Sequence, residues 1–271
     1  MALSVNNNYS AAIALQNLNS TNRQLETTQT RINTGLKVAS AKDDGALYAL
    51  SEIQKGEVSA LSAVQGTIAN GESIIGVSLD AGKAVMSLLN EALKKAVSAQ
   101  DETLDTNQVA ALNNDFTELL SQISNIVGNA NFNGNNLVND GATAINVVID
   151  TNGGQLTISA QDLSTTGLSI DAEDLTSTTN ASAAATAVRS AIATAASRLG
   201  TLGAQARSLE STGVFTKALI DANNKSISNL VDADLAEESA RLQALQIKQQ
   251  LGVQALSIAN QGPSTILSLF R

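Results

Sequence analysis

Residues 229–271 read NLVDADLAEESARLQALQIKQQLGVQALSIANQGPSTILSLFR, and the spacing inside this run sets the expectation for the rest of the chain. Leu235, Leu242, Leu245, Leu256 and Ala259 follow a three-four alternation, interrupted by Glu238, Gln249 and Gly252. That period predicts a helix with one face reserved for another helix. The last twenty-one residues add Leu251, Val253, Ile258, Ile266, Leu267, Leu269 and Phe270. Chain ends are ordinarily polar and poorly packed, so this apolar load needs a partner.

A matching stripe stands at the other end. Ala11, Leu15, Leu18, Leu25, Ile32, Leu36 and Ala39 repeat the alternation, with Asn22 and Gln29 as polar interruptions. Two such helices alone leave much apolar surface wet, and helical stability comes chiefly from tertiary packing. More partners than one are expected.

Between the seams, residues 40–100 contain no proline, and the chain's single proline is Pro263. Interior proline breaks helices, so a long helix starting at Asp44 is predicted, with Asp43 and Asp44 suited to its N-terminus. Glycines at 56, 66, 71, 76 and 82 weaken it and are expected where another backbone comes close. A second helix is predicted over 106–127, burying Val109, Leu112, Phe116, Leu119, Leu120, Ile123 and Ile126. Then the period changes to two: AINVVID and QLTIS flank Thr151-Asn152-Gly153-Gly154, a hairpin signal. Residues 164–182 read as a Ser/Thr-rich surface loop with one further short strand. Helix resumes near Ala183 and runs to about Val231, with Gly200, Gly203 and Gly213 as the points where it could break.

Composition narrows the function. With no His and no Cys, thiol or imidazole chemistry, disulfides and His/Cys zinc sites are excluded. Net charge is −9, unevenly placed: residues 1–40 hold three basic and one acidic residue, residues 231–271 three and four, leaving the middle strongly acidic. No basic patch with interleaved aromatics exists, so no nucleic acid partner is expected. No stretch approaches the roughly 18 apolar residues of a spanning helix, and no membrane insertion is expected. The start lacks the basic and apolar regions of a secretory signal, which alone points to the cytoplasm.

Local motifs add no chemistry. Gly66–Ser73, GTIANGES, imitates a phosphate loop but carries Glu72 where lysine is required. The clusters Asp43/Asp44 and Asp232/Asp234/Glu237/Glu238 sit where helices begin and read as caps rather than as catalytic or calcium sites. No catalytic residue, metal ligand or cofactor site is assigned, and the chain is not expected to be an enzyme.

Three stretches carry a family resemblance: LNSTNRQLETTQTRINTGLKVASAKDDGA near the start, NFNGNNLV in the middle, and the terminal run quoted above. Together they resemble the bacterial flagellins, specifically short alphaproteobacterial ones without large outer domains. The resemblance implies a mainly α fold, with an inner terminal coiled-coil domain (residues 1–40 and 231–271) and an outer helical bundle (41–230) with a β-region at about 142–175. It implies a structural subunit that self-polymerises into the flagellar filament for swimming. The implied partners are further copies, other flagellins mixed in, the export machinery and a chaperone, and hook-associated and cap proteins. Location would be extracellular, after type III export without a cleaved signal, in place of the cytoplasm.

The assembly seam is assigned to Leu15, Leu18, Leu25, Ile32, Leu36, Leu235, Leu242, Leu245, Leu256 and Ile266. On an extracellular protein, Ser164, Thr165, Thr166, Ser177, Thr178 and Thr179 are candidate glycosylation acceptors; a solvated loop is the simpler reading. Of the rivals, a hook–filament junction protein shares related termini, a flagellin-like metalloprotease would need His ligands, and a cytoplasmic coiled-coil adaptor gives no reason for the FNG motif or the hairpin.

Overall fold

A computed structural model describes residues 8–268, with side chains described to Gln261. The described chain is mainly α, with a two-stranded antiparallel sheet. The elements are α1 (Tyr9–Thr34), α2 (Gly45–Ser98), α3 (Thr106–Asn129), β1 (Ile145–Val148), β2 (Gln155–Ile158), α4 (Thr178–Val231) and α5 (Leu235–Ser268). Two compact units divide the chain: a terminal unit of residues 1–56 and 222–271, and a central unit of residues 57–221.

The central unit is built around β-branched residues, leucine and alanine, as a chain with 2% aromatics must be. Ile68, Ile75, Val85 and Leu89 of α2, Phe116 and Ile123 of α3, and Val188, Ala191 and Leu202 of α4 form one buried cluster. Val147 and Ile158 of the hairpin close it. Their strands pair Ile145 with Ile158 and Val148 with Gln155. At the tip, Asp150 Oδ1 accepts from the amides of Asn152 and Gly154, and Gly153 takes φ 88°. An Asx-type turn of this kind is what that sequence dictates.

The NFNGNNLV stretch has a structural cause. Phe132 and Asn135 exchange both backbone hydrogen bonds, at 2.9 and 3.0 Å, around Asn133 and Gly134 at φ 54° and 84°. A tight turn with both central residues at positive φ favours Asn-Gly above other pairs. Asn136 then ties the exit, its Nδ2 donating to Val127 O and its Oδ1 accepting from Val138 and Asn139. Leu137 and Val138 drop fully into the core.

Several expectations need correction. α4 starts at Thr178, inside the Ser/Thr-rich stretch, with Ser177 Oγ accepting from Asn180 N, and it runs unbroken past Gly200, Gly203 and Gly213. Packing outweighs the roughly 1 kcal/mol that each glycine costs. No strand forms among residues 164–182, and Leu168, Ile170, Leu175 and Ala181 there are buried. The stretch is held from inside: Arg198 Nη1 donates to the carbonyls of Asp162 and Gly167. Of the α2 glycines, Gly71 lies under Val147 and Leu209, and Gly82 under Leu199 and Leu163. Gly56, Gly66 and Gly76 face open space, and what lies nearest Gly71 and Gly82 is packed side chains rather than the backbone that was expected there.

Candidate assembly surface

α1 and α5 pack against each other antiparallel, within the terminal unit. Three contacts fix the direction and register: Asn8 with Ala259, Asn22 with Gln249 and Arg31 with Glu238. On α5 the covered residues are Glu238, Leu242, Leu245, Gln249, Gly252, Leu256 and Ala259, an unbroken four-three series. On α1 they are Ala11, Ala14, Leu18, Thr21, Leu25, Thr28 and Ile32. Gly252 permits a close approach to α1, since a Cβ there would meet Leu18 Cδ1 at 3.3 Å.

Both ends of this pair are pinned by polar contacts. α5 passes through Pro263, which has no N–H to offer the carbonyl of Ala259 four residues back. Asn8 Nδ2 donates to that carbonyl at 2.7 Å, while its Oδ1 caps α1 by accepting from Ala11 N at 3.1 Å. One side chain thus serves two helices. At the other end Arg31 Nη1 meets the buried Glu238 Oε1 at 2.8 Å, and Arg241 approaches the same oxygen at 3.6 Å. Beyond it, Gly35 ends α1 at φ 72°, and the two helix breaks clasp: Lys37 N donates to Val231 O and Ala233 N to Gly35 O. The RINTG run requires its glycine for this left-handed cap.

The acidic clusters settle into turns and caps. Asp44 Oδ1 accepts from Ala46 and Leu47 at the start of α2, and Asp234 Oδ1 from Ala236 and Glu237 at the start of α5. Asp43 instead ties the preceding turn through Ala39 and Ser40. The Ser40 amide and hydroxyl hold the Asp43 carboxyl below the ordinary carboxylate value.

The face of α5 turned away from α1 is also apolar. Ala240, Ala244, Ile247, Leu251 and Ile258 line it, with Ile247, Leu251 and Ile258 exposed by 59%, 57% and 70%. This stripe lies roughly 140° around the helix from the seam, at 100° per residue. A helix apolar on two faces needs partners on both.

The assigned seam residues fall into groups. Leu18, Leu25, Ile32, Leu36, Leu242, Leu245 and Leu256 are half-buried or buried in the terminal unit. Leu15 and Leu235 lie off the α1–α5 contact, 48% and 50% exposed, and Ala14 takes the position that Leu15 was expected to fill. The Ile266 side chain, with that of Leu267, lies outside the described ones, and Leu269 and Phe270 lie outside the described residues. Among the glycosylation candidates, Thr166, Ser177, Thr178 and Thr179 are exposed, Ser164 is half-buried and Thr165 buried. Ser164 Oγ and Ser177 Oγ already accept from backbone amides.

A helical pair sealed along one seam and apolar on the opposite side defines a structural subunit made to pack against further helices. Residues 5–143 match the bacterial flagellin N-terminal helical region, and residues 185–270 match the bacterial flagellin C-terminal helical region. Flagellin FljM of Caulobacter vibrioides is 44% identical over 275 residues, and FljK of the same organism is 45% identical over 276; each match covers 100% of both chains. A flagellin of Brucella melitensis is 36% identical over 281 residues, 99% of both chains. A crystal structure of Bacillus cereus flagellin shares the fold, with a TM-score of 0.51 at 21% identity over 55% of this chain and 87% of that one. The chain belongs to the flagellin family.

Proposed function

We propose that the chain is the structural subunit of a bacterial flagellar filament, self-polymerising for swimming motility. The observation that carries this is the uncovered apolar face of α5 in a chain of this family. Head-to-tail contacts that do not close into a ring generate a helical polymer. Residues 1–40 and 231–271 form the filament core, 41–230 the surrounding shell, and the assigned seam residues pack within and between copies. The terminal helices order on assembly, their ordering cost offset by burial between several subunits.

The role is mechanical, not catalytic. The subunit reaches the cell exterior through the flagellar export channel without cleavage, attended by a chaperone, and meets hook-associated and cap proteins at the filament's ends. Mixing with other flagellins is supported by the presence of both FljM and FljK in one organism. The test is electron microscopy of the full chain during mild salting-out, beside a chain ending at Val231. Long uniform filaments from the first and none from the second are expected. Monomers from both would refute the assignment.

A further inference from the structure

The terminal unit holds a cleft of about 480 Å³ lined by Ser20, Arg23, Gln24, Thr27, Thr28, Arg31 and Arg241. Three of those seven residues are arginines and none is acidic. Arg31 and Arg241 share the buried Glu238, which is not among the lining residues, and Arg31 Nε has no hydrogen-bond partner. Arg23 has no ion pair among the described residues, although a guanidinium carries five donors in a fork shaped for a carboxylate. The cleft therefore holds more donors than its own chain satisfies.

Charge placement indicates what fills it. The terminal unit carries nine basic and eight acidic residues, whereas the central unit carries seven basic and seventeen acidic ones. Copies packed side by side through central units alone would repel one another. A carboxylate delivered into an arginine cleft offsets that repulsion and fixes register, since charge pairs across interfaces chiefly set orientation. Position agrees: Arg241 stands on α5 between the seam and the apolar outer stripe, so the cleft adjoins the face argued above to meet another copy.

We propose that the Arg23–Arg31–Arg241 cleft receives an Asp or Glu side chain from a second copy of this chain. The inference rests on the filament reading and names a contact within it. The test measures the critical concentration for polymerisation of the full chain and of Arg23→Gln and Arg23→Lys. Arg23 is chosen because it makes no ion pair among the described residues and lies outside the central unit, so the fold the monomer holds before assembly should be unaltered, as circular dichroism will show. At about 0.05 M salt Arg23→Gln should raise the critical concentration about fivefold and Arg23→Lys less; at about 1 M salt the gap should shrink below about twofold, because exposed charges are screened.

An unchanged critical concentration for Arg23→Gln, or a rise equal at both salts, overturns the proposal. Inorganic phosphate, added at constant ionic strength, is the competing occupant. Salting-out by phosphate acts on both chains alike, so the comparison is between them: phosphate should hinder the wild type relative to Arg23→Gln, and if it promotes the wild type more than Arg23→Gln, the site takes a free anion and the proposal fails. A wild-type chain that never polymerises removes the filament reading along with this one. A polymerising wild type with an indifferent Arg23→Gln removes this one alone.

Discussion

Replacing Asn8 by alanine removes two hydrogen bonds made by one side chain: the cap on Ala11 N and the bond to the Ala259 carbonyl that Pro263 leaves unpaired. Loss of an N-cap costs about 1 kcal/mol. The carbonyl bond contributes about 0.5 kcal/mol, below a fully buried bond, because Asn8 and Ala259 are half-buried and water replaces part of it. Together these raise the critical concentration for filament growth about tenfold, at 1.4 kcal/mol per decade. Pro263→Ala separates the two contributions, because alanine supplies the missing N–H. In that background Asn8→Ala should cost only the cap, about fivefold, and the difference between backgrounds is the coupling. Asn8→Asp, which keeps the capping oxygen and loses the donor, should be better tolerated in the Pro263→Ala chain than in wild type. Sedimentation of polymer from monomer gives all four corners of the cycle. An Asn8→Ala cost identical in both backgrounds would refute the claim that Asn8 compensates for the proline.

Further perturbations separate packing from conformation. Gly82→Ala should lower the stability of the central unit by about 1–3 kcal/mol, since its Cβ meets Leu199 and Leu163, whereas Gly56→Ala, facing open space, should be neutral or stabilising by up to about 1 kcal/mol; thermal melts of the two variants decide this. Gly134→Ala forces a side chain into φ 84° and should cost about 1 kcal/mol in the same assay. The Asp43 carboxyl is held below its ordinary value of 3.8, so its contribution is complete above that pH and is lost as pH falls through the lower folded value. The protection of the Ala39 and Ser40 amides from hydrogen exchange, taken relative to the intrinsic rate at each pH, should therefore fall on acidification below the ordinary carboxylate range, and Asp43→Asn should abolish that dependence.

Much of the fold was legible because it rests on period. The α5 seam was read from Leu242, Leu245, Leu256 and Ala259, and even its polar members Glu238, Gln249 and Gly252 stand in the contact. On α1 the expected series runs one position off: Ala14 and Thr28 are covered where Leu15 and Gln29 are expected, and Asn22, though exposed beside the half-buried Thr21, still bonds Gln249 across the seam. Small and polar residues fill a tight seam without marking a hydrophobic pattern, which the larger Leu15 next to Ala14 does mark. The α4 start is hidden in composition, because Ser177 caps the helix within a Ser/Thr-rich run that resembles a loop. The outer face of α5 and the arginine cleft stayed hidden for another reason. Leu251 and Ile258 stand out in the sequence as apolar load, but which side they occupy depends on the α1 register. The cleft depends on bringing residues 23 and 31 beside residue 241, which no local spacing encodes.

Polymerisation through the α5 face turned away from α1 is tested most directly by Leu251→Glu in the full chain, viewed by electron microscopy beside wild type at equal concentration. Leu251 is 57% exposed and lies off the α1–α5 seam, outside the central unit, so the helical content and melting of the monomer should match wild type. The expected result is a folded monomer and no filaments at concentrations where wild type forms them throughout. Normal filaments from Leu251→Glu would contradict the assignment of that face.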